Sequence, residues 1–280
     1  MTILLSLISA LLYGVADFSG GSATRKNSVF SVMLLTQSAG LLVVGLAAPL
    51  TGPNSPSAAD LAWGTLAGVL GFSGVAALYA GLAKHTAAIV SPLSALVGAV
   101  LPAAFGALFL GERPSGFALA GAALCLPAIL CLAYEKGETA DRAKLKASFL
   151  YGLVAGLGFG GFFVAISRTS PGSGLWPLAG ARGATLAMVG AILLFRRRGF
   201  AVARPDVRTA LFAGAADMAA NVFFLLATRT GLLIIATLVT SLYPAPTVIL
   251  ARVFHGQRIS VPRAAGIAFA LAGVALIGLR

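Results

Sequence analysis

The sequence is poor in charged residues and especially poor in acids. Of its 280 residues only 10% are charged, and only 8 are Asp or Glu, whereas about 25% of the residues of a soluble domain are charged. Hydrophobic residues make up 59% of the chain, and the mean hydropathy is +0.96. This composition excludes a soluble globular protein and indicates a polytopic membrane protein.

Cysteine and histidine are also scarce, with two residues of each. Cys125 and Cys131 fall within one apolar stretch on different faces of a helix, so we expect no disulfide within the chain. Intramembrane enzymes use clustered carboxylates for a metal, or a histidine beside a nucleophile near the membrane surface. The sequence has no acidic cluster at membrane depth, which predicts a protein that is not an enzyme and needs no metal or other cofactor.

Apolar stretches of roughly 20 residues, the length that crosses about 30 Å of hydrocarbon, recur along the whole chain. They predict about ten transmembrane helices in an all-α fold and leave almost no room for a soluble domain. The predicted spans are 3–22, 30–50, 61–83, 87–109, 116–134, 148–167, 175–195, 208–228, 232–254 and 263–279.

The formal net charge of +12 comes from basic residues in short loops rather than from one patch. Most of them follow odd-numbered spans: Arg25, Lys26, Lys84, Lys136, Arg142, Lys144, Lys146, Arg196, Arg197, Arg198, Arg204, Arg208, Arg258 and Arg263. With ten spans these loops share one side of the membrane, and the positive-inside rule makes that side cytoplasmic and both chain ends external. We therefore expect a multi-pass protein of the inner (cytoplasmic) cell membrane that contacts anionic lipid and has no nucleic-acid partner.

A repeated motif organises the chain. GERPSGFALAG begins at Gly111 and GQRISVPRAAG begins at Gly256, so both read G-x-R-x-S-x5-G at an offset of 145 (256 − 111). Near the front of each half, Tyr13 is echoed by Phe159 at an offset of 146 (159 − 13), and a glycine follows each. Self-similarity at a fixed offset predicts two related structural units.

Each predicted unit contains five spans. Because five is odd, the second unit enters the membrane in the opposite sense, and the basic loops support this inversion independently. The predicted division is a first five-helix repeat over 1–133, a polar linker over 134–147 and a second five-helix repeat over 148–280.

Prolines occupy the middle of two matching spans. The fourth span contains Pro92 and Pro102, and the ninth contains Pro244 and Pro246. Proline removes a backbone donor and crowds the preceding turn, and the freed carbonyls must face protein, water or a ligand rather than lipid. Matched helix breaks in inverted repeats are typical of secondary transporters with a site between the halves. We predict helix breaks at these prolines in the wall of a cavity; the alternative is a packing kink without ligand contact.

The motifs resemble those of EamA-type transporters in the drug/metabolite transporter superfamily. The stretch from Ala216 to Leu279 is similar to the second repeat, and Ala77 to Ser115 is similar to the first. The resemblance implies an inverted five-plus-five arrangement, with a central cavity bounded by helices one to four and six to nine. It also implies peripheral fifth and tenth helices. Gln257 departs from the glutamate that the motif prefers and that Glu112 supplies.

Two acids lie inside predicted spans, where a charge costs at least about 2.5 kcal/mol. Asp217 is near the middle of span eight, with Asn221 one turn later on the same face, and Asp17 lies in span one. Arg182 in span seven is within reach of Asp217 because spans seven and eight are antiparallel. For each residue the alternative is a structural role, as a hydrogen-bonded link between helices or, for Asp17, as a cap.

Three further polar residues within spans are candidates for hydrogen bonds or stacking in a cavity, although interhelical contacts explain buried Gln and Tyr equally well. We assign proton coupling to Asp217 and Asp17. The predicted substrate-binding residues are Asp217, Asn221, Arg182, Tyr243, Tyr79 and Gln37.

These features predict a secondary active transporter that exports a small metabolite, amino-acid-like or amphipathic, by alternating access. The protein would act as a monomer or weak dimer, and the acids and the resemblance favour proton coupling. Two alternatives remain open: a non-transporting membrane scaffold or partner subunit, and, with less support, an intramembrane lipid-modifying enzyme.

Overall fold

The computed structural model describes residues 1–25, 27–51, 56–84, 87–134, 142–195, 202–256 and 258–279. Within these residues the chain forms eleven α-helices and no β-strand, which confirms the all-α prediction. They are α1 (Thr2–Thr24), α2 (Val29–Thr51), α3 (Ala58–Lys84), α4 (Ala87–Phe109), α5 (Gly116–Leu132), α6 (Arg142–Ser167), α7 (Trp176–Phe195), α8 (Arg204–Thr230), α9 (Leu233–Thr240), α10 (Pro244–His255) and α11 (Val261–Gly278).

The helices correspond one to one to the ten predicted spans when α9 and α10 are counted as one interrupted span. In the described part of the chain, nine such elements are long and apolar enough to cross a bilayer. The exception, α5, has 17 residues, which is the lower end of the length that spans a membrane. The protein is therefore a multi-pass membrane protein.

Both copies of the repeated motif form the same turn between two helices. Gly111 follows α4 with a φ of +65°, and Gly256 follows α10 with a φ of +64°. Glycine adopts this left-handed conformation without the penalty of a Cβ and so ends each helix. Ser115 then caps α5, its hydroxyl accepting a hydrogen bond from the Ala118 N–H at 3.3 Å, and Ser260 holds the same position before α11. The motif thus ends one helix and starts the next in both halves.

The prediction of helix breaks at the prolines is wrong for span four. α4 runs without interruption through Pro92 and Pro102, because a transmembrane helix tolerates a missing N–H where neighbouring helices and local adjustments compensate. Span nine is interrupted at residues 241–243, just before Pro244, which is the first residue of α10. At that position the absent N–H has no intrahelical partner to lose. Pro246 lies in the first turn of α10 and does not itself interrupt the helix.

The helices pack in pairs, and a twofold relation between the halves maps one pair onto another. α1 lies against α8 as α6 lies against α3, and α2 lies against α8 as α7 lies against α3. α4 contacts α6 as the two segments of span nine contact α1, while α2 with α7 and α5 with α11 form pairs across the axis. Each of these contacts therefore has its counterpart in the other half, as inverted repeats require.

Two glycines mark equivalent close contacts between the halves. Gly68 of α3 packs against the carbonyl of Ala181 in α7, and Gly214 of α8 packs against the carbonyl of Thr36 in α2. The offsets are 146 (214 − 68) and 145 (181 − 36), the same as in the repeated motifs. A Cβ at either glycine would overlap the facing backbone, so the small residue permits the close approach of these helices.

The sixth helix begins earlier than the predicted span 148–167. α6 starts at Arg142, so residues 142–147 of the predicted linker form its first turns. Linker residues 135–141 lie outside the described residues, as does Gln257. The division into repeats over 1–133 and 148–280 remains a prediction.

Candidate functional site

A cavity of about 240 Å³ lies between the two halves. Its described wall comes from α1 to α4, α6 to α8 and the break between α9 and α10, with no residue from α5 or α11. The polar lining residues are Tyr13, Asp17, Gln37, Tyr79, Ser94, Arg182, Thr185, Asp217, Asn221, Ser241 and Tyr243. The structure thus brings to one cavity all seven side chains that the sequence singled out for binding or proton coupling. Their roles remain predictions.

Arg182 joins three helices in the cavity wall. Its Nη2 donates to Oδ2 of Asp217 on α8, and its Nη1 donates to Oε1 of Gln37 on α2. The Asn221 amide donates to the same carboxylate oxygen at 3.3 Å and to the Asp217 carbonyl oxygen at 2.7 Å. The structure forms the Arg182–Asp217 pair that the antiparallel spans predicted and adds Gln37 as a further partner.

The ion pair is unequally exposed. The side chain of Arg182 is 11% exposed, and that of Asp217 is 33% exposed. Withdrawing an ion from water costs several kcal/mol, which a close partner and additional hydrogen bonds offset. Each terminal nitrogen of the guanidinium donates one hydrogen bond to a side-chain acceptor, out of five N–H donors in all. The carboxylate of a substrate would therefore share Arg182 with Asp217 and Gln37.

Gln37 and Arg182 occupy equivalent positions in the two halves, since 182 − 37 gives the offset of 145 seen in the glycine motif. The repeat therefore places an uncharged amide at this position in the first half and a guanidinium in the second. The two side chains meet across the twofold relation and hydrogen-bond to each other. This difference gives the described cavity wall a single cation.

Asp17 lies in the cavity wall one turn after Tyr13, and its side chain is exposed. Its carboxylate therefore faces the hollow rather than packing against a neighbour. Among the described residues no Lys, Arg or His nitrogen lies within 4.0 Å of the Asp17 carboxylate. At that distance these residues form one ion pair, between Arg182 and Asp217. Asp17 is thus an accessible acid without a positively charged partner in the described structure.

Aromatic rings form much of the remaining wall. Four of them were not predicted from the sequence: Phe72, Phe159, Phe162 and Phe163. In α6 the packing explains their direction, because Gly156 lies against Val97 of α4 and Gly158 lies against Gly74 of α3. Gly156 and Gly158 point about 200° apart around α6. Phe159, Phe162 and Phe163 fall in the sector between these two directions and line the cavity. One signal was available, since Phe159 is the repeat equivalent of Tyr13, and both line the cavity.

The cavity lies nearer to the basic loops in the first half and nearer to the opposite side in the second half. On α1, Asp17 is about 10 Å from the end at Thr24, whereas Tyr13 is about 16 Å from the start at Thr2, by the helical rise per residue. On α7, Leu178 is about 3 Å from the start at Trp176, at the side away from the basic loops, and Thr185 is about 15 Å from the end at Phe195. The site is therefore near the middle of the bundle.

The end of the bundle away from the basic loops is closed by apolar packing and hydrogen bonds. The ring centroids of Phe163 and Phe224 are 4.3 Å apart, within a large buried cluster of apolar residues. Beyond this cluster Asp60 accepts hydrogen bonds from the Ser170 N–H and hydroxyl, both at 2.7 Å. Arg229 donates to the Ser170 carbonyl at 3.0 Å. These bonds connect α3, the turn before α7, and the end of α8.

The first copy of the repeated motif contributes to the same closed end. The carboxylate of Glu112 accepts hydrogen bonds from the N–H groups of Leu233 at 2.6 Å and Ile234 at 2.9 Å. These donors at the start of α9 have no intrahelical acceptor, and the helix dipole favours a negative charge there. Glu112 therefore ties the loop after α4 to the first residues of the interrupted span.

The described helices surround a polar cavity between two halves of the chain, an arrangement that is found in membrane transporters. The sequence model of the EamA-like transporter family matches residues 1–134 and again residues 138–279. The chain belongs to the EamA-like transporter family and is a membrane transporter.

A solved structure titled "Crystal structure of protein" has the same fold. It aligns with a TM-score of 0.80 at 18% identity, over 99% of this chain and 98% of that chain. No curated protein matches the chain significantly.

Proposed function

We propose that the protein exports a small metabolite by alternating access and exchanges it for protons. The observation that carries the proposal is the position of the cavity: between the halves, containing two acids, and closed by apolar packing on the side away from the basic loops. The positive-inside rule makes the basic side cytoplasmic. This conformation therefore corresponds to access from the cytoplasm.

Inverted repeats supply the second conformation without a new fold. When the two halves exchange their conformations, the closed end opens and the cytoplasmic end closes around the same site. One chain contains both halves of the cavity, which supports a monomer or weak dimer in the cytoplasmic membrane. The small volume and largely apolar wall favour an amino-acid-like or amphipathic compound.

Asp17 and Asp217 are the groups that would take up protons. Asp217 is held by Arg182, whereas Asp17 faces the hollow and has no cationic partner within the described ranges of the chain. The other titratable side chains of the described wall are tyrosines: Tyr13, Tyr79 and Tyr243. A substrate and a proton that compete for the same carboxylates would be bound alternately, which gives exchange.

Proteoliposomes that contain a pH-sensitive dye test this proposal. We expect at least one compound from a panel of amino acids, nucleosides, sugars and organic cations to drive proton movement in vesicles that contain the protein, and not in empty vesicles. The variants Asp17→Asn and Asp217→Asn should abolish this movement. Asp206→Asn is the matched control, because Asp206 also lies on α8 but hydrogen-bonds Asn27 outside the cavity.

The result that contradicts proton exchange is transport with unchanged pH dependence in both cavity variants. If no panel compound is transported or moves protons, the export proposal itself is wrong. Cysteine labelling from either side of intact cells, at positions added to each terminus, tests the orientation, since both termini are expected outside.

A further inference from the structure

The charges of the cavity do not balance. The described wall contains two carboxylates, those of Asp17 and Asp217, and one guanidinium, that of Arg182. Arg182 neutralises Asp217, and its other terminal nitrogen donates a hydrogen bond to Oε1 of Gln37. With these groups ionised, the wall carries one net negative charge, and that charge resides on the accessible acid.

The surroundings of Asp17 suit a positive charge on an apolar body. Tyr13 lies one turn away on the same helix, Tyr79 approaches from α3 and Tyr243 from the break before α10. The ring centroids of Tyr13 and Tyr243 are 6.1 Å apart. Aromatic faces attract cations because of the ring quadrupole, and this attraction increases where water is excluded. The rings also provide the apolar area that a small hydrophobic body needs.

The same wall disfavours an anion. The described guanidinium is the cation available to a carboxylate, and its charge is already shared with Asp217. An anionic compound would have to share Arg182 with the Asp217 carboxylate and would also meet the charge of Asp17, which has no cationic partner among the described residues. Like-charge contact in a partly desolvated site is strongly unfavourable.

We propose that the cavity selects a monovalent organic cation with a small aromatic or apolar body, whose ammonium group binds the Asp17 carboxylate. This substrate class rests on the proposed transport function, which it makes specific. The charged or titratable groups around this carboxylate are Tyr13, Tyr79, Asp217, Arg182 and Tyr243, so binding should weaken at acidic pH as a proton replaces the cation.

Three compounds with one phenyl body and different charges test the proposal directly. Phenethylamine carries one positive charge, phenylalanine is a zwitterion and 3-phenylpropionate carries one negative charge. Calorimetric titration of the purified full-length protein at mildly alkaline pH should give the order phenethylamine, then phenylalanine, then 3-phenylpropionate. Equal or tighter binding of 3-phenylpropionate overturns the proposal, and so does the absence of phenethylamine binding.

Variants locate the charge. Asp17→Asn should weaken phenethylamine binding by about tenfold or more, the loss expected for one hydrogen bond to a charged group. Asp17→Glu should retain most of the binding, and the control Asp206→Asn should leave it unchanged. Unchanged affinity in Asp17→Asn refutes the assignment to this residue. The comparison of the three compounds in the wild-type protein stands even if a variant does not fold.

Binding and transport separate the two proposals. If proteoliposomes transport only neutral or anionic compounds, the substrate class is wrong and the transport function holds. If phenethylamine binds with the expected Asp17 dependence and no compound crosses the membrane, the cation site holds and the transport function fails.

Discussion

Removal of the two charges of the central ion pair should have unequal costs, and the double replacement should cost less than the sum of the single ones. Asp217→Leu leaves a guanidinium that is 11% exposed, with Gln37 as its remaining side-chain partner in the described structure. An uncompensated charge at such a buried position costs about 3–5 kcal/mol of unfolding free energy.

Arg182→Met is expected to cost less. The carboxylate of Asp217 is 33% exposed to the cavity and still accepts a hydrogen bond from Asn221, so water can replace part of the lost interaction. We expect a loss of about 1.5–3 kcal/mol, as for one hydrogen bond to a charged group. The double variant contains neither charge, so the coupling free energy should be about 1–3 kcal/mol.

The unfolding free energy can be measured by titration with SDS in mixed micelles, with helix content followed by circular dichroism. Arg252→Met provides the control, because Arg252 is an exposed arginine at the end of α10, and its loss should stay within about 0.5 kcal/mol. Additive costs for the two cavity variants, or a larger cost for Arg182→Met than for Asp217→Leu, would refute the reasoning.

Three other predictions concern packing and helix ends. Gly68→Ala and Gly214→Ala change equivalent helix contacts, and each should destabilise the protein by about 1–3 kcal/mol by overpacking. Gly183→Ala is the control, because a Cβ at Gly183 meets no atom within 4 Å and the variant should be neutral in the same titration. Glu112→Ala removes the acceptor for two N–H groups of α9 and should cost about 1–2 kcal/mol, with Glu112→Gln intermediate; an unchanged midpoint would contradict this role. Pro92→Ala should change stability by less than about 1 kcal/mol, because α4 is continuous at that residue, and a large loss would show that the proline is needed there.

The sequence predicted the spans closely because the bilayer restricts the local choices. A segment in hydrocarbon must satisfy its own backbone hydrogen bonds, so an apolar stretch of sufficient length becomes a helix whatever surrounds it. The predicted span 87–109 has the same bounds as α4. The continuity of α4 through Pro92 and Pro102 could not be predicted, because whether a proline interrupts a transmembrane helix depends on its neighbours.

Part of the candidate site was also visible in the sequence. Asp17, Asp217 and Arg182 were identified because a charge inside an apolar span is costly and must face something polar. Phe162 and Phe72 were not, since an aromatic residue in an apolar helix faces lipid or protein equally well. The lipid chains are as apolar as the protein interior, so hydrophobicity alone does not show which face of a helix lines the cavity.

From the sequence alone came the ten spans, the offset of about 145 between the repeats, the odd number of spans that inverts them, and the depth of each charged residue along its helix. Tertiary structure decided which helix faces meet. The contacts of Gly68 and Gly214 set the rotation of the helices about their axes. That rotation brings Gln37, Arg182 and Asp217 into one hydrogen-bonded group, while Asp17 has no cation beside it in the part of the chain that the structure describes. These contacts join residues far apart in the chain, and they depend on backbone approach, which no local pattern of residues encodes.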